Sequence, residues 1–192
     1  MLRGMLATIG GIYKSAIKDY PSIAANPAHG AGDDIVPSHR SGEKPKAWDI
    51  EQRERLVQHI EREHDPNVRE LLLFLDATGV RVGEAQALTW SCIDTDRGEA
   101  TIEQTYTRRV LDAPKTRTSS RDVIVPEATL ARLLALRSTN NQAALAAGVE
   151  VSDVVFQGDG RLGRVMEWHH RNALKLACRR AGVPTMTVHS LR

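Results

Sequence analysis

The chain has 192 residues, of which 41% are hydrophobic and 26% are charged, which is an ordinary soluble composition with room for one domain and an extra element. Its net charge of +2 is too small to indicate a nucleic-acid partner by itself. The distribution of basic residues therefore matters more than their total.

The cysteine content and the lack of long apolar runs exclude several classes of protein. Cys92 and Cys178 are too few for a disulfide framework and lack metal-ligand spacing. They fit a reducing cytosol, so we expect a cytoplasmic protein with no metal ion and no cofactor. No apolar run approaches the roughly 18 residues that span a bilayer, so no membrane partner is expected.

Residues 2–20 carry apolar side chains at helical spacing, which predicts an amphipathic helix. A basic residue precedes a short apolar stretch here, but no small-residue cleavage site follows, and this favours a helix over a signal peptide. One short amphipathic helix cannot bury its apolar stripe alone, so it needs a partner. Residues 26–47 are rich in Gly, Pro and Ser and are typical of a linker.

Two helices are predicted directly after this linker. Asp49 can cap the first, which runs to about His64, with Gln52 in the capping-box position. The second begins at Asp65, and its Leu71–Leu75 run is apolar on nearly all sides, which predicts the central core helix. The buried face of the first helix is predicted to contain Ile50, Val57 and Ile60.

A third helix is predicted from near Val80, because Thr78-Gly79 breaks the apolar run and Gly tolerates the left-handed conformation that ends a helix. Arg81 lies in its first turn beside free backbone N–H groups, an arrangement that suits a phosphate. Glu84 follows one turn later. The alternative is an exposed Arg81 paired with Glu84 on an ordinary helix.

The second half of the chain is predicted to contain a small antiparallel sheet followed by helices. The strands are Ala100–Tyr106, Val110–Thr116 as the middle strand and turn, and Arg121–Val125. A helix opens at Pro126 with Leu130, Leu133, Leu134 and Leu136 on its buried side, and residues 140–148 are also helical. The fold class predicted is mainly α with a small antiparallel β-sheet.

Further along, residues 154–156 are predicted to form a short apolar strand. A long helix runs from about Gly163 to Ala181, and Thr187 caps a final helix. His169 and His170 lie about 100° apart on the long helix, which makes a poor metal pair, so we interpret both as surface residues.

Three motifs follow one another in order: TGVRVGEAQAL at 78–88, APKTR with RDVIVP at 113–126, and HSLR at 189–192. Together they resemble the tyrosine recombinase (phage integrase) family. The resemblance implies that residues 48–192 are a catalytic domain of that family, incomplete after the HxLR motif. It also implies that residues 1–25 are the last helix of a core-binding (SAM-like) domain and that 26–47 are the linker. A free-standing N-terminal helix is the alternative.

The resemblance implies cleavage and rejoining of DNA strands through a 3′-phosphotyrosine. Attack on a phosphodiester builds negative charge, which two guanidinium groups can bind without a metal ion. Arg81 and Arg192 would hold the phosphate, Lys115 would protonate the leaving oxygen, and His189 would orient the phosphate and assist proton transfer. Glu84 would support the Arg81 side. Alternatively, Lys115 is one member of a basic hairpin that follows a DNA backbone.

Basic residues around these motifs predict a surface that contacts double-stranded DNA at a recombination site. The predicted contacts are Arg108, Arg109, Arg117, Arg121, Arg164, Arg171 and Lys175. By the same resemblance, the full-length protein is expected to assemble as a tetramer on DNA.

The chain departs from the family at the nucleophile. In the family the reactive tyrosine follows the HxLR motif, whereas Tyr13, Tyr20 and Tyr106 all precede it here. None is assigned as nucleophile, so we expect this chain alone to be inactive in cleavage. Two other hypotheses are a non-catalytic DNA-binding remnant or decoy of an integrase, and a generic helical domain whose motif matches are accidental.

Overall fold

The computed structural model describes residues 2–20, 22–29, 47–112, 120–160 and 163–191. They belong to two compact units, Met1–Pro45 and Lys46–Arg192. In the first unit, helix α1 covers Leu2–Asp19, as the spacing of its apolar residues predicts. The side chain of Asn26 donates to the carbonyl oxygen of Gly10 and accepts from the backbone N–H of Ala28, which folds the chain after α1 back onto the helix.

The second unit contains five α-helices, two short 3₁₀ helices and five short strands within its described residues. The helices are α2 (Ile50–Ile60), α3 (Pro66–Thr78), α4 (Val82–Ala87), α5 (Glu127–Ala146) and α6 (Glu167–Ala181). The strands are β1 (Ile93–Asp94), β2 (Glu99–Ile102), β3 (Thr105–Thr107), β4 (Val110–Asp112) and β5 (Arg121–Ile124). The predicted fold class, mainly α with a small amount of antiparallel β-structure, is confirmed, although the strands do not form the single sheet predicted. No described helix is long and apolar enough to cross a membrane.

Side-chain caps begin α2 and α3 where the sequence predicts them. The carboxylate of Asp49 accepts from the backbone N–H of Gln52, whose side chain completes the capping box. Asp65 accepts from two N–H groups in the first turn of α3. The predicted buried face of α2 was wrong at Ile50, which is 78% exposed. Ile50 is the first residue of α2, and the buried side centres instead on Leu56 and Ile60, one turn apart.

The central helix is α3, as predicted. Leu71, Leu72, Phe74 and Leu75 are each at most 1% exposed, because α3 lies against both α5 and α6. Gly79, at φ 65°, ends α3 in the left-handed conformation that glycine adopts without strain. Because α3 ends at this point, the TGVRVGEA segment follows directly after the most buried helix of the unit.

The strands form two antiparallel groups in place of the single sheet predicted. One has the order β1-β2-β5, so β2 is its middle strand, and the other pairs only β3 with β4. The predicted strand Ala100–Tyr106 is therefore split at residues 103–104. The two-residue turn Arg108-Arg109 pairs Thr105 with Asp112, which draws β3 into a hairpin of its own. Residues 113–116 of the predicted middle strand lie outside the described part.

The last third of the unit differs from the prediction at its boundaries. Helix α5 is continuous, with Leu133 and Leu136 buried but Leu134 40% exposed. Residues 154–156 make one isolated bridge, between Val154 and Thr89, in place of a strand. Helix α6 starts at Glu167, later than predicted, because the residues before it form a turn closed by backbone hydrogen bonds.

Candidate nucleic-acid interface

An open cleft of about 960 Å³ lies between α4, the β3–β4 hairpin, α6 and the short 3₁₀ helix Val188–Leu191. It brings together residues from two of the three sequence motifs, Arg81 from the first and His189 from the last. The predicted site residues that line it are Arg81, Arg108, Arg109, Arg171, Lys175 and His189. A cleft lined by five Lys and Arg side chains and one Glu attracts a polyanion, and its partial enclosure concentrates their field.

Arg81 precedes α4 as its N-cap residue, so the prediction that it lies in the first helical turn was wrong. Its backbone N–H donates to Oε2 of Glu84 at 3.1 Å, and Nη1 of its guanidinium donates to Oε1 at 2.9 Å. The Arg81 side chain nevertheless remains 59% exposed. It is therefore fixed from one side by Glu84 and open to the cleft on the other.

Glu84 is the buried anion on which two arginines converge. Arg121, on β5, donates to its carboxylate through Nη2 at 2.7 Å and Nη1 at 3.3 Å. Burial raises the pKa of Glu84, but the hydrogen bonds from Arg121 and Arg81 outweigh this, and the pKa falls from 4.5 to about 2. The same contact raises the pKa of Arg121. Glu84 therefore stays ionised and couples α4 to the sheet.

The tip of the β3–β4 hairpin is formed by Arg108 and Arg109, both predicted as DNA contacts. Their φ angles are 52° and 66°, a left-handed backbone conformation that residues other than glycine and asparagine rarely adopt. The two-residue hairpin turn requires it, and Asn-Gly is the usual choice there. The sequence thus accepts backbone strain at a position where both arginines line the cleft.

Arg164 lies elsewhere than predicted. It is 4% exposed, and its guanidinium donates to the backbone carbonyls of Gln86 at 2.7 Å and Ala87 at 3.2 Å. It also lies over the Tyr106 ring, 5.7 Å from the centroid. Arg164 therefore satisfies the C-terminal carbonyls of α4 from inside the domain. It is too buried to make the predicted contact with DNA.

Helix α6 supplies one wall of the cleft through Arg171 and Lys175, both exposed. Arg171 forms an ion pair with Glu167 at 2.6 Å, four residues earlier on the same face. Both partners are largely exposed, so the pair is weak and Arg171 remains available to a phosphate. These two predicted contacts lie where a ligand in the cleft would meet them.

His170 was predicted to be a surface residue, and this was wrong. It is 2% exposed, because α6 turns this side toward the interior, while its ring still borders the cleft. Its Nδ1 is buried and has no hydrogen-bond partner among the described residues. Burial, and after it the electrostatic effects of the neighbouring Arg171 and His169, lower its pKa from 6.5 to about 4, so His170 is neutral at pH 7.

His189 lies in the 3₁₀ helix at the end of the described chain and is exposed to the cleft. Its neighbours Val188 and Leu191 are buried, and this short helix contacts α3. The apolar anchors on each side thus fix the backbone from which His189 projects. Three residues predicted for the site, Lys115, Arg117 and Arg192, lie outside the described part of the chain.

Sequence reasoning missed several residues that line the cleft: Gln86, Thr105, Tyr106, Thr107, Trp168, His170 and Asn172. The spacing of Trp168, Arg171, Asn172 and Lys175 on one face of α6 was a usable signal. Within the described ranges, no group of three or more His, Cys, Asp or Glu side chains is placed to hold a metal ion.

Comparison with known proteins relates residues 47–192 to the phage integrase family, whose model matches this range. No curated protein sequence matches the chain.

Three solved structures show a similar fold. The integrase of transposon Tn1549, solved in complex with transposon right end DNA, has a TM-score of 0.77 at 16% identity, over 98% of this chain and 62% of that one. XerA recombinase has a TM-score of 0.53 at 19% identity, over 77% and 47%. The integrase from mycobacterium phage Brujita has a TM-score of 0.52 at 16% identity, over 97% of this chain and 53% of that one. The chain thus spans less than two thirds of each of these proteins.

Proposed function

Because the chain belongs to the phage integrase family, we propose that residues 48–192 form the catalytic domain of a site-specific recombinase that breaks and rejoins DNA. Residues 1–25 would be the last helix of a core-binding domain, and 26–47 the linker. The observation that carries this proposal is that Arg81 and His189, from opposite ends of the domain, line one basic cleft. The DNA-bound state of the Tn1549 integrase supports DNA as the ligand.

The cleft has the chemistry that phosphodiester attack requires. Charge accumulates on the non-bridging phosphate oxygens, and a guanidinium offers them two parallel N–H donors. Arg81 would supply one such group, pre-positioned by Glu84 so that little ordering remains to be done on binding. His189 would orient the phosphate from the facing 3₁₀ helix and assist proton transfer.

Two residues outside the described part complete the proposed machinery. Lys115 would protonate the leaving 5′-oxygen, and Arg192 would provide the second guanidinium. The 3′-phosphotyrosine step needs a nucleophilic tyrosine, and we assign none of Tyr13, Tyr20 and Tyr106 to it. We therefore expect these residues by themselves to bind DNA without forming a covalent adduct, and the full-length recombinase to assemble as a tetramer on DNA.

The test compares Arg81→Ala with a matched control, Arg97→Ala. Both arginines are well exposed and pair with a nearby glutamate, but Arg97 does not line the cleft. Two fluorescein-labelled 30-bp duplexes are titrated at fixed salt, one intact and one carrying a 3′-phosphate at a central nick. We expect Arg81→Ala to weaken binding of the nicked probe about tenfold or more, the loss of one charge-assisted contact, and the intact probe much less.

The control should bind both probes as the unmodified chain does. Equal weakening of both probes by Arg81→Ala would favour plain backbone binding, and the phosphate-pocket assignment would then be wrong. Absence of binding to either probe by the unmodified chain would reject DNA as the ligand.

A further inference from the structure

One face of α6 presents an aromatic residue beside cations. Trp168, Arg171, Asn172 and Lys175 occupy positions i, i+3, i+4 and i+7, which share one side of a helix. All four are exposed and line the cleft. This α6 face combines a planar apolar ring with polar and cationic groups in one line.

Among the described residues, Trp168 has no structural role comparable to those of the other two tryptophans. Trp90 is 6% exposed and lies under the guanidinium of Arg137, whereas Trp48 donates its indole N–H to the carbonyl of Pro184 at 2.9 Å. Trp168 is 54% exposed and leans on the His169 ring, with centroids 3.7 Å apart. A tryptophan this exposed is unusual, since the residue is highly buried on average.

The charges around Trp168 limit what its ring can meet. Arg171 and Lys175 follow it on α6, and the Arg108-Arg109 tip lines the same cleft. A purely apolar ligand would leave these cations unused, and an acidic peptide rarely offers a large planar face. Nucleic acid supplies both parts, a phosphate backbone and flat bases that stack on aromatic side chains.

A base can stack on Trp168 only where its face is uncovered. In the interior of an intact duplex both faces of each base are covered by neighbouring bases, so the ring would meet only base edges and sugars. An unpaired base, or the last base beside a break, has a free face. Strand breakage, the proposed function on which this inference rests, produces such a base.

We propose that Trp168 is a stacking platform for a nucleobase that is unpaired or lies beside a strand break, with Arg171 and Lys175 holding the adjoining phosphates. The His169 ring packs against the indole and limits its rotation. The platform makes the cleft selective for interrupted duplexes over intact ones. It adds a contact with the base to the phosphate contacts proposed for Arg81.

The experiment uses the full 192-residue chain and two 30-bp probes of the same sequence, one intact and one with a single unpaired base bulged at the centre. Affinities are measured by fluorescence anisotropy at fixed salt. We expect the unmodified chain to prefer the bulged probe at least about fivefold, the effect of one stacked base. Trp168→Ala should abolish this preference by weakening binding of the bulged probe much more than binding of the intact one, and Trp168→Phe should retain most of the preference.

Leu176→Ala is the matched control, since Leu176 is also an exposed apolar residue of α6 but does not line the cleft. It should keep the preference. As a second readout, the bulged probe should quench the intrinsic tryptophan fluorescence of the unmodified chain. It should quench the fluorescence of Trp168→Phe far less.

The outcomes separate the two proposals. Intact-duplex binding with no preference for the bulge, or a preference that survives in Trp168→Ala, overturns the platform and leaves the proposed function standing. No binding to either probe overturns both. If Trp168→Ala binds both probes as the unmodified chain does but sediments as a smaller species, then Trp168 contacts another protein chain. That outcome likewise overturns the platform.

Discussion

Glu84 shows how one buried carboxylate organises the basic residues of the cleft. Without it, Arg81 and Arg121 would repel each other across the junction between α4 and β5. With both guanidinium groups donating to it, the carboxylate fixes Arg81 before any ligand arrives. Two arginines on one carboxylate still leave positive charge in excess, and this excess is available to an anion.

We predict that Glu84→Gln lowers the free energy of unfolding by about 1–2 kcal/mol at pH 7, because two partly exposed arginines lose their anion. The folded pKa of about 2 lies below the ordinary 4.5. The stabilising contribution is therefore complete above pH 4.5 and is lost as the pH falls toward 2. Urea unfolding of both proteins at pH 7, 5, 4 and 3 should show the difference shrinking only over the lower values.

Glu99→Gln provides the comparison for Glu84, because the described partner of Glu99 is the well-exposed Arg97. It should change stability by less than about 0.5 kcal/mol at any of these pH values. A Glu84→Gln difference that stays constant from pH 7 to pH 3 would show that the carboxylate is not held ionised by its partners.

At the scale of elements, close approach of α4 to β3 sets one wall of the cleft. A Cβ added at Gly83 would lie 2.7 Å from Oγ1 of Thr105 and 2.9 Å from the backbone oxygen of Tyr106. The Tyr106 oxygen belongs to the backbone, so it cannot rotate away as a side-chain hydroxyl can. Gly83 is therefore what allows α4 to lie this near the hairpin that carries Arg108 and Arg109.

We predict that Gly83→Ala destabilises the domain by about 1–3 kcal/mol, since the added methyl group forces α4 and β3 apart. It should also weaken DNA binding, because the hairpin and Arg81 line the same cleft. Thermal unfolding and duplex titration measure the two effects. Gly11→Ala is the control: it places a methyl group in open space within α1, where alanine favours the helix. If Gly83→Ala matched this control, α4 and β3 would not be in contact.

The elements that sequence predicts well are those fixed by neighbouring residues. Asp49, Asp65 and Gly79 cap or end helices through groups within four residues of themselves, so their patterns are readable without a fold. The split of the sheet and the late start of α6 depend on pairing and turns that the local pattern does not distinguish. Arg164 and His170 read as surface residues, but elements far away in the chain bury them.

At the scale of the whole molecule, the charge balance hides the interface. The chain carries 26 Lys and Arg against 24 Asp and Glu, so its net charge of +2 gives no sign of a polyanion partner. The basic side chains that line the cleft are drawn from α4, the β3–β4 hairpin, α6 and the 3₁₀ helix. Folding alone brings them together, which explains why motif order indicated the function and composition did not.

This distribution makes a prediction about salt. Each phosphate neutralised on binding releases counterions, so the logarithm of the DNA association constant falls linearly with that of the salt concentration, by about 0.9 per contact. Lys175→Ala should therefore make the slope about 0.9 less steep, whereas Arg180→Ala should not, because Arg180 is exposed on the same helix but does not line the cleft. Titrations between 50 and 200 mM salt, as rough limits, cover the range where such slopes are measured. Equal slopes for the two variants would mean that DNA affinity depends on the net charge of the molecule and that DNA does not lie in the cleft.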